Sequence, residues 1–349
     1  MSAELEIGVM LPNMTPVGMP VDPDAVPGTA ELAEQLGFDS VWVGDHTFHP
    51  TQWQDMVVSL AFAAARTTRI GIGTCVLVLP VHRLPVIAKQ LATLATLSRG
   101  RLRVSIGVGG EIPAEYEAAG VPLDERAARI EEGFPLLRRL LAGEAVDETG
   151  RFHRLPGVAL SPVPPPIPLM LSGHRRAALD RAGRIADGWM GFLQTVDDFG
   201  RARERIETAR RQAGRTGEFR YGLLIPVRVE DDNDGAARRG AEDLDRIRVW
   251  RTSAAMGATE ERKGKAPQSL LERCVVAGPP AAIAEQLLAY ADAGCRTFVM
   301  SPTKPGEAGR RDIEILGRAV LPELRGVCTT ARRQAGANRV SDDTMRAPG

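Results

Sequence analysis

Short β-branched runs alternate with helical patterns along nearly all of this 349-residue sequence, and most runs end in glycine or a small polar residue. Eight such runs stand out: residues 5–11 (LEIGVML), 40–44 (SVWVG), 69–78 (RIGIGTCVLV), 101–110 (RLRVSIGVGG), 168–173 (PLMLSG), 187–192 (DGWMGF), 221–229 (YGLLIPVRV) and 297–301 (TFVMS). Between them, apolar residues recur at helical spacing. Ala30, Ala33 and Leu36 precede Gly37; Ile87, Leu91 and Leu94 fill residues 84–97; Ile130, Phe134, Leu137 and Leu141 precede Gly143. Residues 29–36 and 54–66 read as helices, and a helix over 281–291 follows Pro279-Pro280. Asp124 and Asp197 are the expected N-caps of their helices. Two α/β architectures fit eight strands separated by helices, a closed barrel and an open doubly wound sheet. The first strand-to-helix turn, PNMTPVGMP, lacks the G-x-G-x-x-G that opens a dinucleotide-binding helix. The chain therefore reads as α/β, a (β/α)8 TIM barrel with insertions at its C-terminal mouth.

Residues 1–328 are expected to form that single barrel. Residues 145–157 read as a small hairpin turning at Thr149-Gly150. Residues 231–272 interrupt the span between the last two strands; they form either a lid over the mouth or a solvated surface excursion. The tail, 329–349, has no apolar stripe and reads as disordered.

Lys+Arg and Asp+Glu balance at 44 each, which argues against nucleic acid or an anionic membrane as a partner. No uncharged apolar run approaches the ~18 residues of a membrane span. The acidic N-terminus is unlike a signal peptide. Cys75, Cys274, Cys295 and Cys328 have no paired spacing, as expected of reduced thiols in a cytoplasmic protein.

Functional groups of a (β/α)8 barrel collect at the C-terminal ends of its strands. Here these are Asn13, Asp45-His46, Thr74-Cys75-Val76, the loop from Gly107 to Glu111, Ser172-Gly173-His174, Met190-Gly191-Phe192 and Ser301. Few are ionisable. The chain has only four lysines, and Lys304 alone follows a convincing strand, so Schiff-base chemistry is not expected. Asp45, His46 and His49 lack a further metal ligand, and no metal site is expected. A mouth poor in acids suits a cofactor that carries the hard chemistry itself, acting on a small-molecule substrate. Trp42 and Trp189 read as core, Trp53 as a possible lining of the mouth, His82 as positioning the third helix, and His153 as an exposed hairpin residue.

The segments GFDSVWVGDH, RIGIGTCVLVLPVHRLPVIAKQLATL, GRLRVSIGVGG, PLMLSGHRRAALDRAGRIADGW and VVAGPPAAIAEQLLAYADAGCRTFVM together resemble the luciferase-like monooxygenase family, in its order and spacing, over residues 5–325. The resemblance implies a barrel, often a homodimer, with a flavin or deazaflavin across the mouth. It implies coenzyme F420 rather than FMN, because Asp45-His46 and the Gly109-Gly110 loop resemble the F420 users. His46 would then exchange a proton while the cofactor moves a hydride; otherwise it hydrogen-bonds Asp45 and props the loop. The family's non-prolyl cis peptide falls on Cys75–Val76; the alternative is an ordinary buried strand end. Glu111 either handles a proton near the ring, as an acid in a similar loop of the family does, or caps the helix after Pro113. Ser172, Gly173, His174 and Arg175 open a helix that would seat the cofactor phosphate, or its arginines form a solvated face. Asp45, Thr74, Cys75, Val76, Gly107, Gly109 and Gly110 complete the expected cofactor site. An FMN-dependent monooxygenase fed by a flavin reductase, and a cofactor-binding barrel without turnover, are the other readings.

Overall fold

The architecture was read from a computed structural model, which describes residues 4–110, 112–246 and 268–326. Eight parallel strands close on themselves: β1 (Glu6–Met10), β2 (Ser40–Val43), β3 (Gly71–Val78), β4 (Leu102–Gly107), β5 (Leu169–Ser172), β6 (Gly188–Phe192), β7 (Arg220–Val229) and β8 (Thr297–Pro302). Each pairs with its neighbours in sequence, and β8 returns to β1 in the register Gly8↔Val299. The barrel expected from the sequence is therefore present, with all eight strands where the apolar runs fall.

The barrel interior is filled by side chains rather than open. Met10, Trp42, Cys75, Val76, Met170, Met190, Leu224 and Val299 form one cluster drawn from seven of the strands. The fully buried Trp42 indole needs two glycines to fit. A Cβ on Gly73 would lie 2.3 Å from its ring, and one on Gly8 2.7 Å from its Nε1. Removing such a side chain from water stabilises the fold by roughly 2–3 kcal/mol. At the opposite end, buried Glu6 pairs with Arg103 at 2.7 Å and Arg220 at 3.0 Å.

The helices form the outer ring: α1 (Ala25–Leu36), α2 (Met56–Arg66), α3 (Leu84–Leu97), α4 (Pro113–Ala118), α5 (Arg126–Leu141), α6 (Arg176–Ile185), α7 (Val196–Gln212), α8 (Ala236–Arg246), α9 (Gln268–Cys274), α10 (Pro280–Asp292) and α11 (Gly306–Ile315). The expected stripe of α5 is buried, and Gly37 ends α1 in the left-handed region at φ 87°. α1 starts four residues before the expected Thr29, because Pro27 sits in a first turn whose N–H groups have no helical partner anyway. Both expected aspartate caps are corrected. Asp124 lies inside the 3-10 turn Leu123–Glu125, and α5 is preceded by Glu125 without a side-chain cap. On α7 the cap is Thr195, whose hydroxyl accepts from Asp198 N–H, while Asp197 occupies the first turn. The expected hairpin pairs Val146–Thr149 with Arg154–Val158. His153 within it is half-buried rather than exposed.

Between β7 and β8 the sequence reading misses a short parallel strand, Val276–Gly278, on the upper half of β7. Around it Leu193, Ala236, Ala241, Leu244, Leu271, Cys274, Val275 and Ala277 make a second small core. Arg228 bridges Glu230 at 2.6 Å and Asp243, tying β7 to α8. Parts of the described flanks of 231–272 thus pack on the barrel; residues 247–267, the rest of the segment read as a lid or a surface excursion, lie outside the described residues. The tail, 329–349, lies outside them too. Among the described residues no helix is long and apolar enough to cross a membrane.

Candidate active site

β2 delivers Asp45 and His46 to the mouth, and the two side chains go separate ways. Asp45 is buried, accepts the Val78 N–H at 2.9 Å, and lies 2.7 Å from His82 Nε2. It therefore clamps the end of β3 and the approach to α3. Burial works against a charged His82, but the Asp45 carboxylate outweighs it and the imidazole is held above its ordinary value.

His46 does not bond Asp45. Its Nδ1 lies 3.0 Å from Oε2 of Glu115, a residue of α4 that is only 4% exposed. Oε1 of the same carboxylate accepts the backbone N–H groups of Thr47 at 2.6 Å and Phe48 at 3.0 Å. A carboxyl group facing two N–H donors is an acceptor, so Nδ1 of His46 carries the hydrogen between them. No hydrogen bond to His46 Nε2 occurs among the described residues, and the ring stays 12% exposed. One nitrogen is thus fixed and the other is left for a proton. The sequence reading missed Glu115. Its local signal is weak, an acid beside buried Tyr116 in a six-residue helix.

Two further rings pack on His46. The His49 and Trp53 centroids each lie 4.7 Å from it. Trp53 Nε1–H donates to the Thr51 hydroxyl at 2.8 Å, and Thr51 faces His49 Nδ1 with both its hydroxyl at 2.6 Å and its N–H at 2.9 Å. His49 Nε2 is buried without a hydrogen-bond partner. An unmade buried bond of this kind costs about 1–3 kcal/mol. Burial, and then His46 beside it, depress His49 to about 4.

Asn13, fully buried at the end of β1, holds this loop from beneath. Its amide donates to the carbonyls of Gly44 at 2.9 Å and Gln54 at 3.3 Å. The pairing of Met14–Thr15 with Gln52–Trp53 extends the same tie and brings Trp53 to the mouth.

The Cys75–Val76 peptide is cis, as the resemblance implied. The β3–β4 register shifts between Thr74 and Leu77, and the Thr74 hydroxyl bridges the gap by donating to Ser105 O at 2.9 Å and accepting Ser105 N–H at 3.1 Å. Cys75 points into the barrel core, its thiol pushed up to about 12 by burial.

The glycines after β4 line a surface no larger residue could supply. A Cβ on Gly107 would lie 2.6 Å from Val76 Cγ2. Gly109, at φ 54°, is overlain by the Tyr116 hydroxyl, where a Cβ would come within 2.5 Å. Gly110, at φ 111°, faces Arg126. Glu111 lies outside the described residues, and the N-cap of α4 is Ile112. Across the mouth, Ser172 donates to Met190 O at 2.8 Å, and Trp189 Nε1–H donates to Gly173 O at 2.8 Å. That fixes the turn into α6, where Gly173 takes φ 129° and His174 is half-buried. Arg175 is the N-cap of α6, and both it and Arg176 are exposed with no ion pair among the described residues. Lys304 is engaged by Asp312 at 3.1 Å and the Val229 carbonyl. Among the described residues, no three His, Cys, Asp or Glu side chains are grouped to hold a metal ion.

A parallel (β/α)8 barrel with a histidine–carboxylate pair and a closely packed glycine loop at its C-terminal mouth is an enzyme scaffold, with its functional groups at that end of the strands. The chain belongs to the luciferase-like monooxygenase family, whose sequence profile matches residues 5–297. The F420-dependent glucose-6-phosphate dehydrogenase of Rhodococcus erythropolis is 30% identical over 328 residues, 85% of this chain and 93% of the relative. Among solved structures, an F420-dependent secondary alcohol dehydrogenase in complex with an F420-acetone adduct superimposes with a TM-score of 0.75 at 23% identity, over 92% of this chain and 99% of that one. Monooxygenase RslO1 from Streptomyces bottropensis gives the same TM-score at 25% identity, over 91% and 99%.

Proposed function

We propose that this protein is an F420-dependent oxidoreductase that transfers a hydride between the deazaflavin and a small organic substrate. The observation that carries the reading is the His46–Glu115 pair at the barrel mouth, a histidine with one ring nitrogen anchored and the other open to a proton. The relationship to F420-dependent dehydrogenases over 85% of the chain supports it. When bound, the deazaflavin supplies hydride acceptance and donation.

This chain's own residues do the rest. Val76, Gly107, Gly109 and Gly110 admit the ring system, with Thr74 and Cys75 holding the strand end behind it. Ser172, Gly173 and His174 shape the entry to α6, and Arg175 is free to meet a phosphate there. Asp45 keeps β2, β3 and α3 in register around the mouth. His46 takes up at Nε2 the proton released when a substrate C–H is oxidised, or returns it in the reverse direction, while Glu115 anchors Nδ1–H. Glu111 is the second acid we propose for the proton side. A homodimer fits the exposed apolar side chains Val58 and Phe62 on α2 and Val86 on α3. A cytoplasmic setting fits the free thiols of Cys75, Cys274 and Cys295.

Fluorescence titration with F420 and, separately, with FMN tests the cofactor. Micromolar or tighter F420 binding with weak FMN binding is expected. Preference for FMN, with oxygen uptake from the reduced form, would replace this reading with a monooxygenase served by a flavin reductase. Tight F420 binding without turnover across a broad substrate panel would mean a barrel that binds cofactor only. His46→Ala is expected to keep cofactor affinity and lose turnover.

A further inference from the structure

Trp53, Thr51 and His49, in the loop after β2, are joined in a fixed direction. Trp53 Nε1 can only donate, so the Thr51 hydroxyl accepts from it and turns its own hydrogen to His49 Nδ1. The Thr51 N–H, also donor only, points at the same nitrogen. His49 Nδ1 therefore faces two donors and holds no hydrogen, and Nε2 carries the one the neutral ring has. A second proton on His49 would have to enter between Nδ1 and two hydrogens already pointing at it. His46 has the opposite surroundings: its Nδ1–H points at an anionic carboxylate, and its Nε2 has no partner among the described residues.

We infer that His49, oriented by Thr51 and Trp53, is a positioning residue that stays neutral and so confines the exchangeable proton of the mouth to Nε2 of His46. The two rings, 4.7 Å apart, are too close to share charge without mutual cost. Blocking one assigns the charge to the other. The buried, unpartnered Nε2 of His49 agrees with this. A ring placed to make its own hydrogen bonds would not leave that hydrogen unused; one placed to be an uncharged neighbour can. Of the other ionisable groups, Glu115 from α4 acts on this pair, while Asp45 and, at the start of α2, Asp55 act on His82 ahead of α3. His49 is thus the group whose protonation would most directly compete.

The inference bears on the proton step proposed above but is tested on the full chain without cofactor or substrate, so it stands or falls separately. Histidine-labelled protein is titrated from pH 5 to 8 by long-range 1H–15N spectroscopy, which reads each ring's tautomer and charge. The expected wild-type result is a His49 with unprotonated Nδ1 that does not charge over this range, and a His46 that does. Thr51→Val removes the hydroxyl at nearly constant shape. It should let His49 begin to charge and lower the apparent midpoint of His46. In the His49→Phe background the same Thr51→Val change should leave His46 unmoved. Where Thr51→Val fails to fold, Trp53→Phe, which releases the hydroxyl from its fixed direction, should give a smaller shift of the same sign. A wild-type His49 that charges together with His46, or a Thr51→Val shift of His46 that persists with Phe at 49, would overturn the inference.

Discussion

Glu115 is the residue on which the geometry of the mouth rests most heavily, and its substitution gives the sharpest test. The carboxylate takes three hydrogen bonds, from Thr47 N–H, Phe48 N–H and His46 Nδ1. Hydrogen bonds to a charged group contribute about 1.5–3 kcal/mol each, which sets an upper bound near 5–9 kcal/mol for the set. That bound is too high here, because Thr47 and Phe48 are exposed and their N–H groups regain water once the acceptor is gone. His46, at 12% exposure, is compensated less well. Glu115→Ala should then cost about 3 kcal/mol, at the low end for breaking a buried pair. At ~2 cal/mol/K of unfolding entropy per residue, a chain of this length has about 0.7 kcal/mol/K, so Tm falls by about 4 °C. Glu115→Gln keeps an oxygen for the two N–H groups and turns its amide N–H toward His46. It should cost about 1–1.5 kcal/mol, near 2 °C, and move the imidazole hydrogen from Nδ1 to Nε2. Scanning calorimetry reads the stability and 15N chemical shifts read the tautomer. An Ala variant within about 1 °C of wild type, or a Gln variant that keeps the Nδ1 hydrogen, would refute this account.

Gly109→Ala places a Cβ 2.5 Å from the Tyr116 hydroxyl at a residue with φ 54°. The loop must then move, and cofactor affinity in the same fluorescence titration should drop about tenfold or more, equivalent to ~1.4 kcal/mol. The stability of the fold should depend on pH through His49. The ring holds its proton only below about 4 in the folded chain against an ordinary 6.5, so the unfolded chain binds that proton first. Stability is therefore lost as pH falls from about 6.5 toward 4, with nothing further lost below that; urea unfolding of His49→Phe should show a shallower decline over this window than wild type. Burial pushes Cys75 and Cys274 up to about 12 and raises Cys295 further. Native protein treated with iodoacetamide at neutral pH should show all three unmodified by mass spectrometry, and rapid alkylation of Cys75 would mean the barrel interior is open.

What could be read from the sequence and what could not divide along one line, the distance over which a residue's role is set. A barrel strand announces itself locally. SVWVG and TFVMS are short, β-branched and closed by small residues, and their partners in a parallel barrel are simply the preceding and following runs. The helix stripe of Ile130, Phe134, Leu137 and Leu141 is equally local. Caps are less so: Asp124, Thr195 and Asp197 are all competent caps, and which of them ends up at the boundary depends on where the preceding turn places the chain. Val276–Gly278 escaped notice because a three-residue strand has no periodicity to show; it forms because β7 outruns β6 and leaves an edge to pair.

The site follows the same rule more severely. Gly109 and Gly110 could be singled out as glycines, but their reason for being glycine lies in Tyr116, Val78 and Arg126, which only the folded loop brings over them. His46 could be placed at the end of β2, yet its chemistry is set by a carboxylate 69 residues away. Glu115, four residues beyond Glu111 and without a recognisable loop of its own, carries the carboxylate that meets His46. The reading of His49 changed most. As part of D-H-x-x-H it suggested, and was then dismissed as, a metal ligand, and nothing in its neighbours' identities says that Thr51 will turn back on it. Two donors aimed at one imidazole nitrogen are a fact of the turn, not of the composition. They make His49 intelligible as the uncharged neighbour of His46, where the sequence offered only a surplus histidine.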